Sequence, residues 1–286
     1  MVNLILLAVL FYSAYQENAA AQDPDQYTIA SDTGILYLPK PYESDYATRM
    51  CRLDVYYPEE AKEFPVIVYF HGGGLRAGSR HSGGIVVERF VPEGIAVINV
   101  GYRFSPKVQH PVYIEDAAAA IAWAFKNVSK YGGDPDKVFV SGHSAGGYLT
   151  MITGMDVRYL GEHGISNLDL AGLMPISGQT ITHSTIRQEM GLPDGTQFIN
   201  EFGVLYHANR PGPPCICICG SEDLPLRCME NIYFVEVQKN AGNKNVSYLE
   251  VEGRDHGTIY TKINESGDVV AEAMLEFIRR ILNDKH

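Results

Sequence analysis

Residues 142–146 read Gly-His-Ser-Ala-Gly, a G-x-S-x-G pentapeptide. It follows the apolar run KVFV and precedes a helix-compatible stretch, the context in which this pattern marks a nucleophile elbow. A serine hydroxyl is a weak nucleophile. It needs a base to take its proton and a third group to orient that base and stabilise its charge. For a serine on a strand-to-helix turn of this kind, the partners follow in the order acid, then histidine.

Nine histidines are available. Only His256 lies between a late strand-like run, VSYLEV, and the last helix-like run, in the loop EGRDHGTIY, so it is the expected base; His143, although adjacent to Ser144, is not. Asp223 follows the run CICICG in the loop GSEDLP, one strand earlier, and is the expected acid. Glu222 is the alternative carboxylate, Asp255 sits too close to His256 in the chain for in-plane contact, and a plain helix cap is the other reading of Asp223. Acyl transfer to Ser144 would develop an oxyanion, which backbone N–H groups stabilise. Residues 71–74, His-Gly-Gly-Gly, follow the apolar run FPVIVYF. HGGG-type turns supply such donors together with the N–H of the residue after the nucleophile, here Ala145.

The elements that must carry these residues alternate. TGILYLP and CRLDVYYP read as an antiparallel edge pair, and FPVIVYF and GIAVINV as strands buried on both faces. An alanine-rich helix with Asp116 near its start runs to a stop at Gly132-Gly133, with Trp123 in its core-facing part. KVFVSG, LAGLMPIS, PPCICICG and VSYLEV continue as strands, interleaved with helices in SAGGYLTMITGMD, LRCMENIYFVEVQKNAG and VVAEAMLEFIRRILN. That rhythm calls for a mostly parallel sheet with helices on both faces. Residues 177–214 break it with a polar, Gly- and Pro-containing insertion, expected to form a small lid or binding wall. His183, Arg187 and Tyr206 within it are candidate substrate contacts, each equally readable as a packing or solvated residue.

The chain has 286 residues, 45% hydrophobic and 20% charged, which suits one sizeable α/β domain. A formal net charge of -11 leaves no basic surface for nucleic acid or anionic membranes. Residues 1–21 combine an apolar stretch with Ala19-Ala20-Ala21, as in a secretory signal peptide, although without its usual basic start. Cleavage after Ala21 would leave residues 22–286 as a single exported domain, periplasmic or extracellular. The apolar stretch is shorter than the roughly 20 residues a membrane span needs. Of five cysteines, Cys215, Cys217 and Cys219 share one strand face and read as buried small hydrophobes. A disulfide through Cys51 or Cys228 stays open, and no metal site is expected.

With HGGG at 71–74, GHSAGG at 142–147, an acid at 223 and DHG at 255–257, the chain resembles α/β-hydrolases of the broad esterase group that includes hormone-sensitive-lipase-like enzymes. The likeness runs over nearly all of residues 50–285. GYRFSP, the stretch from YIEDAAAAIAW to GHSAGGYL, and SGQTITHSTIRQE look most like secreted bacterial acetyl/feruloyl-esterase-type hydrolases. The resemblance implies an α/β-hydrolase fold with Ser144 as nucleophile, His256 as base, Asp223 as acid, and Gly73, Gly74 and Ala145 as oxyanion donors. It implies no cofactor, and a substrate that is a small-molecule or carbohydrate ester of an acetyl or aromatic acyl group. Where related chains carry a short G-D-x-D acid loop, this one has Gly220-Ser221-Glu222-Asp223, so the acid rests on position more than on motif. The same residues would serve an amidase, formamidase or peptidase, and the scaffold alone would serve a non-catalytic binding protein. Oligomeric state is open.

Overall fold

The computed structural model describes residues 27–39 and 44–284; the expected leader and its cleavage after Ala21 lie outside the described residues. Strands β1 (Ile29–Leu36), β2 (Arg52–Pro58), β3 (Phe64–Phe70), β4 (Ala96–Val100), β5 (Gly133–His143), β6 (Gly172–Ile176), β7 (Cys215–Glu222) and β8 (Val246–Asp255) form one sheet in the order β1-β2-β4-β3-β5-β6-β7-β8. The β1–β2 and β2–β4 pairs are antiparallel, and every pair from β4 onward is parallel. The expected edge pair and parallel body are both present.

Successive residues of a strand face opposite sides of its sheet, and here both sides are covered. Val66, Val68 and Phe70 of β3 and Val138 and Val140 of β5 pack into one core, beside Ala117, Ala120 and Ile121 of the helix Val112–Asn127 and Leu149 and Ile152 of the helix Ala145–Met155. Ile67, Tyr69 and Phe139 turn to the other face, against Phe90, Met274, Phe277 and Ile278, the last three from the closing helix Val269–Asn283. This is why the central strands read as unbroken apolar runs. Cys215 and Cys217 are buried in the first core.

The alanine-rich helix ends earlier than expected. Its α-helical part stops at Asn127, a 3-10 turn spans Val128–Tyr131, and Gly132 closes it at φ 95°, where a residue without Cβ has no steric penalty. Asp116 does not cap this helix. It is fully buried and accepts from Arg103 N at 2.9 Å and Arg103 Nη2 at 2.7 Å, fixing the Gly101–Phe104 segment to the helix.

Candidate active site

Ser144 stands between β5 and the helix Ala145–Met155 with φ 56° and ψ −114°, a conformation that costs roughly 1–3 kcal/mol for a residue with a Cβ. Backbone crowding holds it there. A Cβ on Gly146 would lie 1.9 Å from Phe70 O, one on Gly142 2.5 Å from Gly146 C, and one on Gly147 2.8 Å from Gly178 Cα. The helix therefore starts directly against β3 and β6, and Ser144 N–H donates to Ile176 O at 2.8 Å. Its hydroxyl is lifted clear of the sheet.

The acid and the base reach Ser144 from the next strands. Parallel pairing of β7 and β8 sets Glu222 opposite Asp255 across a register shift that begins at Gly220. The residues that follow, Asp223 and His256, thus leave neighbouring strand ends together. A Cβ on Gly220 would lie 2.0 Å from Arg254 O, so the two strand ends touch through this glycine. This pairing also carries β8 four residues past VSYLEV, to Asp255.

His256 Nδ1 lies 2.6 Å from Asp223 Oδ1, and its Nε2 lies 2.9 Å from Ser144 Oγ. A carboxylate oxygen only accepts, so Nδ1 carries the ring proton and Nε2 is left to accept from the serine hydroxyl. Burial opposes charge on Asp223. Hydrogen bonds from His256, from Ser177 Oγ and from Leu224 N–H at 2.7 Å outweigh it and hold the carboxyl at about 2, below the usual carboxylate range. Glu222, the alternative acid, is exposed. Asp255 Oδ1 instead accepts from Gly257 N, Thr258 N and Thr258 Oγ1 at 2.7–2.9 Å, folding the histidine loop on itself.

His143 supports the base without acting as one. Its Nε2 donates to His256 O at 2.7 Å, and its ring stacks on Tyr260 at 5.0 Å between centroids. Burial, and then the nearby His256 ring, push its pKa down to about 4. Arg254 anchors the same loop by pairing with Asp268 at 2.7 Å, while Asp268 caps the closing helix through Val270 N and Ala271 N.

The HGGG turn passes beside the nucleophile, since a Cβ on Gly72 would lie 3.4 Å from Ser144 Cβ. Gly73 has φ 118° and no room for a Cβ, which would meet Ala77 O at 2.0 Å; Gly74 has φ 63° with open space around it. His71 is buried, stacks on Tyr102 at 4.5 Å and bonds Gly72 O through Nδ1 at 2.7 Å. Ala145 is the first residue of its helix, so its N–H has no partner within the helix.

The insertion is tied down rather than free-standing. Its short helix Ser184–Glu189 bonds the HGGG turn through Thr185 Oγ1 to Gly74 O, and Arg76 Nη2 donates to Gln188 Oε1 at 2.6 Å. Two of the three candidate substrate contacts are buried within the insertion. His183 is 4% exposed and accepts from Thr185 N, and Arg187 is 7% exposed and donates to Thr182 O at 2.8 Å. Both brace the insertion from inside. Tyr206 is exposed, but it lines a depression with Asp156, Arg158 and His207 at the far end of the nucleophile helix, roughly 18 Å along the axis at 1.5 Å per residue. The structure gives roles to three residues to which the sequence pattern assigns none: Ser177 on Asp223, Arg227 donating to Ser177 O, and His143 on the His256 carbonyl.

Fold and site together define the class: the chain has the α/β-hydrolase fold, and the proteins it is similar to are esterases of that fold. The BD-FAE family profile matches residues 53–168, which include HGGG and GHSAGG. Esterase LipC of Mycobacterium tuberculosis is 28% identical over 226 residues, covering 68% of this chain and 53% of that protein. The chain spans about half the length of the curated relatives it matches. Among solved structures, the butyrate-bound thermophilic esterase Est2 of Thermogutta terrifontis aligns with TM-score 0.71 and 25% identity, covering 90% of this chain and 95% of that one. A truncated carbohydrate esterase from gut microbiota aligns with TM-score 0.72 at 19% identity, covering 90% and 98%, a likeness of fold.

Proposed function

We propose that the protein is a serine carboxylic-ester hydrolase working through an acyl-enzyme. The observation that carries this reading is the unbroken line of hydrogen bonds Ser144–His256–Asp223, at 2.9 and 2.6 Å. In the first step His256 Nε2 takes the Ser144 proton as Oγ attacks the ester carbonyl, and Asp223 stabilises the imidazolium. The oxyanion develops toward the N–H groups of Gly73, Gly74 and Ala145, each worth roughly 2.7–4 kcal/mol in sites of this type. The alcohol leaves with the proton from His256. Water, activated by the same ring, then releases the acid and restores Ser144.

The acyl group is taken to be acetyl or a small aromatic acyl, carried on a small-molecule or carbohydrate alcohol. The motif resemblance supports this choice, and the butyrate bound in the Thermogutta esterase supports a short acyl pocket. Export through the N-terminal apolar leader is part of the same proposal. The test is turnover of p-nitrophenyl acetate beside the matching anilide, for the wild type and Ser144→Ala. The proposal expects ester hydrolysis that vanishes in the variant and a far slower anilide reaction. Undiminished ester turnover by Ser144→Ala would overturn it. A panel of acetyl, butyryl and feruloyl esters, with and without attached xylose, then reads the acyl and alcohol pockets.

A further inference from the structure

Two nucleophilic side chains bracket the acid loop and take no part in the relay. Cys219 lies near the end of the buried part of β7, and Cys228 lies in the first turn of the helix Arg227–Asn240, so the segment between them contains Asp223. Cys228 Sγ donates at 3.0 Å to Gly220 O, the carbonyl of the residue directly after Cys219. Cys219 Sγ donates at 3.5 Å to Asp223 Oδ2. Both thiols therefore bond to the same short segment, Gly220–Asp223. The other cysteines do not combine burial with access in this way. Cys51, Cys215 and Cys217 are all fully buried, and Cys215 and Cys217 are two apart on one strand. Cys228 is partly exposed, between the exposed Leu226 and Met229.

We propose that Cys219 and Cys228 form a thiol–disulfide exchange site for low-molecular-weight disulfides, and that the bond they make straps the acid loop. Access sets the order of events, because only Cys228 is reachable from solvent. The Cys228 thiolate attacks one sulfur of a disulfide such as oxidised glutathione, whose S–S bond breaks and releases one thiolate that takes up a proton. The Cys219 thiolate then attacks Cys228 Sγ, and the second glutathione leaves as the thiol. Two protein S–H groups are oxidised and one disulfide is reduced to two thiols. Burial, and next the Asp223 carboxylate, disfavour the Cys219 thiolate, so the second step is the slow one.

The strap has a consequence at the relay. It removes the S–H that donates to Asp223 Oδ2 and leaves Ser177 Oγ as the donor there. This consequence rests on the esterase reading, whereas the exchange chemistry does not.

The experiment treats the full chain with oxidised glutathione and reads thiols and activity separately. Thiol titration after unfolding is expected to fall from five to three, with Cys219 and Cys228 joined in the peptide map. Ester turnover is expected to fall about fivefold, the size of one modest hydrogen bond, and to return with dithiothreitol. Cys228→Ser keeps its untreated activity and is unaffected by glutathione disulfide. A thiol count that stays at five, a bridge elsewhere, or a glutathione adduct persisting on Cys228 would overturn the exchange site. Unchanged activity in the bridged protein, or an equal loss in Cys228→Ser, would overturn the strap. Failure of the esterase reading shows separately, as turnover that survives Ser144→Ala.

Discussion

The two arms of the relay are held in place by different physics. On the nucleophile arm, backbone presses on backbone, and Gly142, Gly146 and Gly147 leave no room for a methyl group. On the acid–base arm, side chains do the holding: Ser177 on Asp223, His143 on the His256 carbonyl, Arg254 on Asp268. The first arm should fail when an atom is added. The second should degrade by steps as donors are removed.

The largest expected effect is that of Gly146→Ala. Its Cβ would lie 1.9 Å from Phe70 O, and neither the helix nor β3 can withdraw without opening the core. Circular dichroism and solubility should show loss of the native fold. Retention of a cooperative melt would mean that crowding does not position the elbow. Ser144→Ala should lower kcat by roughly 10^6 while leaving the melt unchanged, since it deletes one hydroxyl. Asp223→Asn comes next, at about 10^4 in kcat, because the amide leaves the imidazole in the wrong tautomer. Ser177→Ala should cost only about tenfold, with KM little changed, because Leu224 N–H still serves Asp223. If Ser177→Ala proved as damaging as Asp223→Asn, the stepwise picture of this arm would be wrong.

A smaller effect concerns stability and spans both arms. Burial lowers His71 and His143 to about 4 and His183 to about 3. Each is neutral when folded but takes up a proton below about pH 6.5 once unfolded. The unfolded chain therefore binds more protons, and stability should fall as pH drops from about 6.5 through 4. Asp223 adds a slope of the same sign only at the acid end of that window, because its stabilisation begins to be lost near pH 5, as the unfolded carboxyl takes up a proton, and is gone once pH falls through about 2. Urea midpoints at pH 7 and pH 4.5 check the sign: the second should be lower, and a His143→Gln variant should show a shallower decline.

The same contrast explains what can be read from the sequence. The nucleophile arm is legible because its constraint is local: glycine spacing around Ser144 and after His71 records where backbones must touch. The sheet is legible for the related reason that strands buried on both faces leave continuous apolar runs. Asp223 is legible by position alone, and the choice over Glu222 depends on a register that pairs Glu222 with Asp255. Ser177 stands 46 residues from Asp223 in the chain, and no local pattern announces that contact. The insertion is the least legible part: each of its candidates reads equally as a packing or a solvated residue, and the structure buries His183 and Arg187 with partners inside it and sets Tyr206 beside Asp156 and His207 at the far end of the nucleophile helix.

The central claim is that His256 and the strained turn make Ser144 the reactive nucleophile of this molecule. The most direct measurement is intact-protein mass spectrometry after treatment of the folded chain with a fluorophosphonate. One adduct on Ser144 is predicted, formed in the wild type, lost in Ser144→Ala and strongly slowed in His256→Ala. Absence of labelling in folded protein, or an adduct that persists in Ser144→Ala, would contradict it.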